Sequence, residues 1–174
     1  MARKALVTGG AGFIGSHLVD ALVDRGWQVS VLDNLSTGRM ENLQQSLQKI
    51  EFVEGDLRDP ALLEGLVEGC DAVFHQAAVV SVPLTVEDPA GSALVNEIGT
   101  LNVLDACRRH GVNSVVSASS CAVYGDDPQL PKTEEMLPRP MSPYAVQKLA
   151  GEHYARVFSE LYGLSAVCLR YFNV

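Results

Sequence analysis

The sequence has no close pair of cysteines, no basic cluster and no apolar run of membrane-spanning length, and each gap counts against a class of function. Cys70, Cys107, Cys121 and Cys168 lie far apart, without the tight spacing that zinc sites and redox centres use. They read as small buried hydrophobes in a reducing cytoplasm, and no metal site is expected. Thirteen Lys and Arg stand against 21 Asp and Glu, a net charge of −8, with no basic stripe to offset it. That balance counts against a nucleic-acid partner or electrostatic attachment to a membrane. From Met1 the chain enters a strand within four residues, which leaves no room for an apolar signal segment and makes a cytoplasmic location the expectation. Charge is scarce at 20%, beside 47% hydrophobic residues, and 174 residues of that make-up can bury a real core as one domain. A small-molecule ligand is the class that remains.

Short β-branched runs alternate with longer segments of helical period. Strands are expected at 4–8, 28–33, 50–54, 72–75, 114–118 and 165–169, and helices near 13–25, 40–48, 60–68, 89–110 and 143–162. Asp59-Pro60, Asp88-Pro89 and Ser142-Pro143 each place a capping side chain ahead of a proline at the first helical position. The alternation gives an α/β fold: a Rossmann-type doubly wound parallel sheet of about six strands with helices on both faces. Residues 125–141, with Pro128, Pro131, Pro138 and Pro140, read as a long ordered loop. The chain stops directly after its last strand, as though mid-architecture.

The strongest local signal runs from Val7 to Gly15, directly after the first strand and opening the first helix. Gly10, Gly12 and Gly15 satisfy G-x-G-x-x-G, and Gly9, Gly12 and Gly15 equally satisfy G-x-x-G-x-x-G. In either spacing the glycines permit a sharp turn and close backbone approach, and amides at the helix N-terminus meet a pyrophosphate. Gly9, Gly12, Phe13 and Ile14 are therefore assigned to a dinucleotide. The second strand ends at Asp33, where this fold places a carboxylate against the ribose hydroxyls. That carboxylate would repel a 2′-phosphate, which favours NAD over NADP. Asn34, Ser36, Thr37 and Gly38 form the adjoining turn, and Asp33 capping that turn is the simpler alternative. Arg39 nearby leaves NADP open.

Further segments carry a family likeness: Gly55-Asp56-Leu57-Arg58-Asp59, His75-Gln76-Ala77-Ala78, Ser119 to Gly125, Ser142 to Lys148, and the ending Leu169 to Val174. With the glycine loop, they make the chain resemble the extended short-chain dehydrogenase/reductases, and within them the UDP-hexose 4-epimerases. The stretches at Ser81-Val82-Pro83, Leu130-Pro131-Lys132 and Ser142 to Val146 are most similar to the branch acting on UDP-N-acetylglucosamine. The resemblance implies a catalytic trio of Ser120, Tyr144 and Lys148. Independently, Tyr144 and Lys148 stand four apart on one expected helix and share a face. A phenol works as a base near neutrality only beside positive charge, which Lys148 and a nicotinamide cation would supply. The resemblance also implies that the tyrosine takes the proton of the sugar 4-hydroxyl while hydride passes to NAD, that the lysine holds the nicotinamide ribose, and that the serine binds the reacting oxygen.

Other contacts carry over at matching positions. Asp56 and Leu57 fall near adenine, Gln76, Ala77 and Ala78 along the pyrophosphate and ribose, Asn96 below the pocket, and Tyr171 near the nicotinamide. A plain turn residue at Asp56 and a solvent-facing amide at Asn96 are the alternatives. Ser81, Ser120 and Asn173 match substrate-binding positions. His75 reads as a packed histidine, and His17, His110 and His153 as helix-surface residues.

The related sugar-nucleotide dehydratases carry acidic residues after the catalytic Ser or Thr, whereas Cys121 and Ala122 follow Ser120 here, which favours epimerisation. Another oxidoreductase of the same family and a non-catalytic NAD-binding module are the rivals. The resembling enzymes continue into a smaller C-terminal part that grips the UDP-sugar. Residues 1–174 are thus expected to be the NAD-binding domain without its substrate domain, with little or no activity alone. Helix 143–162 has one apolar stripe through Val146, Leu149 or Ala150, Val157 and Leu161, and another through Ala155, Phe158 and Tyr162. One can face the sheet, and the other suits a homodimer built through the two long helices, as the resemblance implies.

Overall fold

The computed structural model describes residues 2–174. Its strands are short apolar runs: β1 (Lys4–Thr8), β2 (Gln28–Asp33), β3 (Ile50–Glu54), β4 (Ala72–His75), β5 (Ser114–Ser120) and β6 (Ser165–Tyr171). All pair in parallel, in the order β3-β2-β1-β4-β5-β6. Ala5, Leu6 and Val7 of β1 have no exposed surface, as a central strand covered on both faces requires. Successive side chains of a strand point to opposite faces, and β1 divides accordingly. Ala5 and Val7 join Val19, Val31 and Leu43 in one core, under the helix α1 (Phe13–Asp24). Leu6 joins Leu32, Leu63, Val73, Leu104 and Val115 in the other. That second core is closed by α2 (Pro60–Val67), α5 (Thr100–Arg109) and α6 (Pro143–Tyr162). Two shorter helices, α3 (Val82–Glu87) and α4 (Pro89–Ala93), precede α5.

Strand order reverses between β1 and β4, so the connections leaving their carboxyl ends diverge and open a crevice where doubly wound sheets bind ligands. The glycine loop follows β1 and Gln76-Ala77-Ala78 follows β4, so both segments enter that crevice.

Four strands fall where the sequence puts them. The last two run two residues further, because Ser119 pairs with Arg170 and Ser120 with Tyr171. The helix expected at 40–48 is instead two 3₁₀ turns, Met40–Leu43 and Leu47–Lys49. Only Leu43 of those two turns is buried, and the Ser46 hydroxyl between them donates to the Asp20 carboxylate, so no apolar stripe drives a continuous helix. The helix expected at 89–110 is α4, a π-helical segment Leu94–Gly99, and α5. Neither α3 nor the 3₁₀ turn Cys121–Tyr124 was legible in the sequence pattern. Residues 125–141 contain neither helix nor strand. Cys70 and Cys107 are buried, but Cys121, in the 3₁₀ turn after β5, and Cys168, on the edge strand β6, are only partly so. Among the described residues no helix is long and apolar enough to cross a membrane, and no group of three His, Cys, Asp or Glu residues could hold a metal.

Candidate active site

The crevice is a cleft of about 700 Å³. At its centre the backbone turns at Gly9 with φ +68°, where a Cβ would sit 2.6 Å from the Ala77 nitrogen. Gly15, one turn into α1, packs so tightly that a Cβ would overlap the Gly9 carbonyl. α2, α3, α4 and α6 are each capped by their own side chain, Asp59, Ser81, Asp88 and Ser142. α1 begins at Gly12 with no side-chain cap and no acidic residue in its first turn. Its leading amides therefore present partial positive charge to the cleft without an internal partner. Gly9, Gly12, Phe13 and Ile14 all line the cleft.

One end of the cleft is acidic. Asp33, 8% exposed, accepts from the Ala11 amide at 2.9 Å and the Leu35 amide at 2.8 Å. Its carboxylate thus ties the glycine loop to the turn after β2, so the turn-capping alternative describes one of its oxygens and a loop clamp the other. Asn34, Ser36, Thr37 and Gly38 line the same end. A Cβ on Gly38 would press on both Asp33 oxygens, at 2.8 and 2.9 Å. Asp56 accepts two guanidinium bonds from Arg58, each 2.8 Å, and one from Asn34 at 3.1 Å. The Arg58 guanidinium holds the Asp56 carboxyl well below its ordinary range. Leu57 beside it is a core residue that also reaches the cleft wall.

The other end carries Ser120, Tyr144 and Lys148 together, with Tyr171 and Asn173. Ser120 ends β5 and its hydroxyl accepts from the Ala122 amide at 3.1 Å, capping the 3₁₀ turn that follows. α6, started by Ser142 and Pro143, presents Tyr144 and Lys148 one turn apart, with Nζ 5.9 Å from the phenol ring centroid. Burial pushes the Tyr144 phenol above its ordinary value, and a hydrogen bond with Ser120 works in the opposite direction. Burial pushes the Lys148 ammonium down to about 8, and its Nζ donates to the Ala118 carbonyl at 3.0 Å. Behind this end Glu152 holds Arg170 through two bonds of 2.8 and 2.9 Å and accepts from the Ser119 hydroxyl, which pins α6, β5 and β6 to one another. Burial works to raise the Glu152 carboxyl, yet Arg170 and Ser119 outweigh it and the pKa falls.

Gln76, Ala77 and Ala78 form the floor between the two ends. Both polar atoms of the Gln76 carboxamide, a donor and an acceptor, are buried without a hydrogen-bond partner. His75 beneath them is a packed histidine. It bridges the hydroxyls of Thr8 at 2.7 Å and Thr100 at 3.0 Å, and burial lowers its pKa to about 3, so it is neutral.

Two expected contacts are not in the cleft. Asn96, 2% exposed, is neither solvent-facing nor on the cleft surface; its carboxamide is used up on Val79 and Gln147 behind the wall. Ser81 caps α3 by accepting from the Leu84 amide. Conversely, Val79, Val80, Val82, Cys121 and Phe172 line the cleft although the sequence assigned none of them a contact. The one available clue is that Val80, Val82 and Phe172 are apolar yet exposed, at 62%, 39% and 59%.

Residues 5–174 match the family model described as NAD dependent epimerase/dehydratase family. A UDP-glucose 4-epimerase of Mycolicibacterium smegmatis is 46% identical over 165 residues, covering 92% of this chain and 53% of that protein. A UDP-N-acetylglucosamine 4-epimerase from Methanobrevibacter ruminantium, solved in complex with UDP-N-acetylmuramic acid, superposes with a TM-score of 0.94 at 44% identity, covering 99% of this chain and 55% of that one. The UDP-glucose 4-epimerase from Brucella ovis, solved in complex with NAD, gives 0.92 at 43% identity, with 99% and 52% covered. The chain spans about half the length of the relatives it matches.

Proposed function

Because the chain belongs to the NAD dependent epimerase/dehydratase family, we propose that its cleft binds NAD and forms the catalytic half of a UDP-sugar 4-epimerase. One observation carries this reading: the uncapped start of α1 and the Ser120, Tyr144 and Lys148 side chains open onto the same cleft. The residues present fit the cofactor. Gly9 and Gly15 admit no Cβ, the α1 amides offer a pyrophosphate site, and the orphaned Gln76 carboxamide lies between the two ends. Asp33, Asn34, Ser36, Thr37, Gly38, Asp56 and Leu57 would hold the adenosine end, with Ala77 and Ala78 along the middle. Tyr144, Lys148 and Tyr171 would hold the nicotinamide end.

Bound NAD supplies a hydride acceptor and donor for C4 of the sugar. Tyr144 would take the proton from the 4-hydroxyl and return it to the same oxygen once the ketone has turned its other face toward the hydride donor. Its phenol is raised by burial, so it needs local positive charge to act as a base, and Lys148 stands on the same helix face to provide it. Ser120 is placed to hydrogen-bond the oxygen that becomes the ketone. Cys121 and Ala122 line the cleft where the resembling dehydratases carry acidic residues, which supports epimerisation over elimination. The UDP-sugar, met by Ser120 and Asn173 on this chain, and turnover itself are assigned to a longer protein. Its four free thiols suit the cytoplasm. Val146, Val157 and Leu161 of α6, with Leu94 and Ile98 of the π segment, leave apolar surface exposed. We assign that face to a homodimer.

Calorimetric titration tests the reading. The chain is expected to bind NAD saturably and at least about tenfold more tightly than NADP, the scale of one repelled phosphate. Asp33→Asn, which keeps one of the two backbone acceptors and removes the charge, should shrink that preference. A folded chain that binds neither dinucleotide would overturn it.

A further inference from the structure

Gln147 lies between Tyr144 and Lys148 in sequence, yet its side chain takes no part in the cleft and is 2% exposed. Its Nε2 donates to the Ser92 hydroxyl at 2.8 Å and to the Pro89 carbonyl at 3.3 Å. Its Oε1 accepts from Asn96 Nδ2 at 2.7 Å. Asn96 in turn grips the backbone of one residue from both sides, accepting from the Val79 amide at 2.8 Å and donating to the Val79 carbonyl at 3.0 Å. Val79 lines the cleft.

The polarity of this chain is fixed at every link. Ser92 donates to the Pro89 carbonyl at 3.1 Å, so toward Gln147 its oxygen can only accept. That sets which end of the Gln147 carboxamide faces Ser92, and its oxygen therefore faces Asn96. Both protons of Asn96 Nδ2 are then committed, to Gln147 and to Val79. A flipped Asn96 would set its oxygen against two other acceptors. An apolar side chain could fill the volume of Gln147 without the cost of desolvating an amide, but it could not specify this orientation. The π segment contributes the middle link, since Asn96 lies within Leu94–Gly99, and such irregular turns concentrate at functional sites.

We propose that Gln147 is a positioning residue: by orienting Asn96 it holds the Val79 stretch of the cleft in register with Tyr144 and Lys148 on its own helix. The proposal rests on the NAD reading above and says which end of the cleft Gln147 governs. ADP spans only the glycine-loop and Asp33 end in that reading, so the two ligands separate positioning from general stability. NAD and ADP are titrated against the chain, Gln147→Leu and Ser92→Ala, with Tm recorded for each. Gln147→Leu is expected to weaken NAD about tenfold, the scale of a lost buried hydrogen bond, and ADP by less than about twofold. Equal weakening of both ligands overturns the proposal, as does unchanged NAD affinity in the folded variant. If Gln147→Leu does not fold, Ser92→Ala must weaken NAD selectively, by about threefold. A parent chain that binds ADP but not NAD removes the underlying reading, and the proposal with it.

Discussion

Burying Lys148 works against folding. Its ammonium titrates at about 8 instead of 10.5, so between those values the unfolded chain holds a proton that the folded chain has released. Stability then rises with pH across that window, and below it the full penalty of the buried charge stands. Lys148→Met is accordingly expected to raise Tm near neutral pH and to flatten its rise at alkaline pH, as thermal unfolding followed from neutral to pH 10 would register. A lower Tm at neutral pH would mean that the bond to the Ala118 carbonyl outweighs desolvation. Asp33 shows a different double duty. The carboxylate assigned to the ribose also closes two backbone bonds, so truncating it to alanine would damage the glycine loop along with any contact to a ligand.

The turn from β1 into α1 is set by contact, and its glycines are not interchangeable with those elsewhere. Gly15→Ala should cost about 1–3 kcal/mol through overlap with the Gly9 carbonyl. Gly65→Ala, inside α2 with nothing near its Cβ position, should stabilise by about 0.5–1 kcal/mol. Urea midpoints of the two variants would move in opposite directions, and parallel shifts would contradict the packing described. Contiguous signals such as these were readable in advance. Asp59-Pro60, Asp88-Pro89 and Ser142-Pro143 do start α2, α4 and α6. Ser81 ahead of Pro83 starts α3 by the same device, but six residues are too few to show a helical stripe. The glycine loop and Asp33 were legible from local pattern, Ser120, Tyr144 and Lys148 through the family resemblance of the short segments that hold them, and Gly9, Gly12, Asp33 and the trio all line the cleft. Asn96 was not, because its placement depends on Val79 and Gln147, 17 and 51 residues away, and local periodicity carries no record of distant partners.

Outside the two cores, α6 carries exposed apolar side chains. On α6, Ala155 and Phe158 of one stripe turn inward but its Tyr162 does not, at 52% exposed, while Leu161 of the other stripe is 68% exposed and Val146 and Val157 are exposed with it. Sedimentation at several concentrations should show self-association that Val157→Glu with Leu161→Glu abolishes without loss of helix signal, and a parent chain that stays monomeric throughout would remove the dimer. The bare start of α1 has a further effect at this size. The uncapped amides of α1 offer a place where a bound anion would add to the stability of the folded chain. Any small phosphate compound seated there adds about 2.7 kcal/mol to the folded state at a hundredfold excess over its Kd. Under the NAD reading, resistance of the folded chain to added protease should therefore rise with dinucleotide concentration, so the uncapped helix end would set lifetime as well as binding.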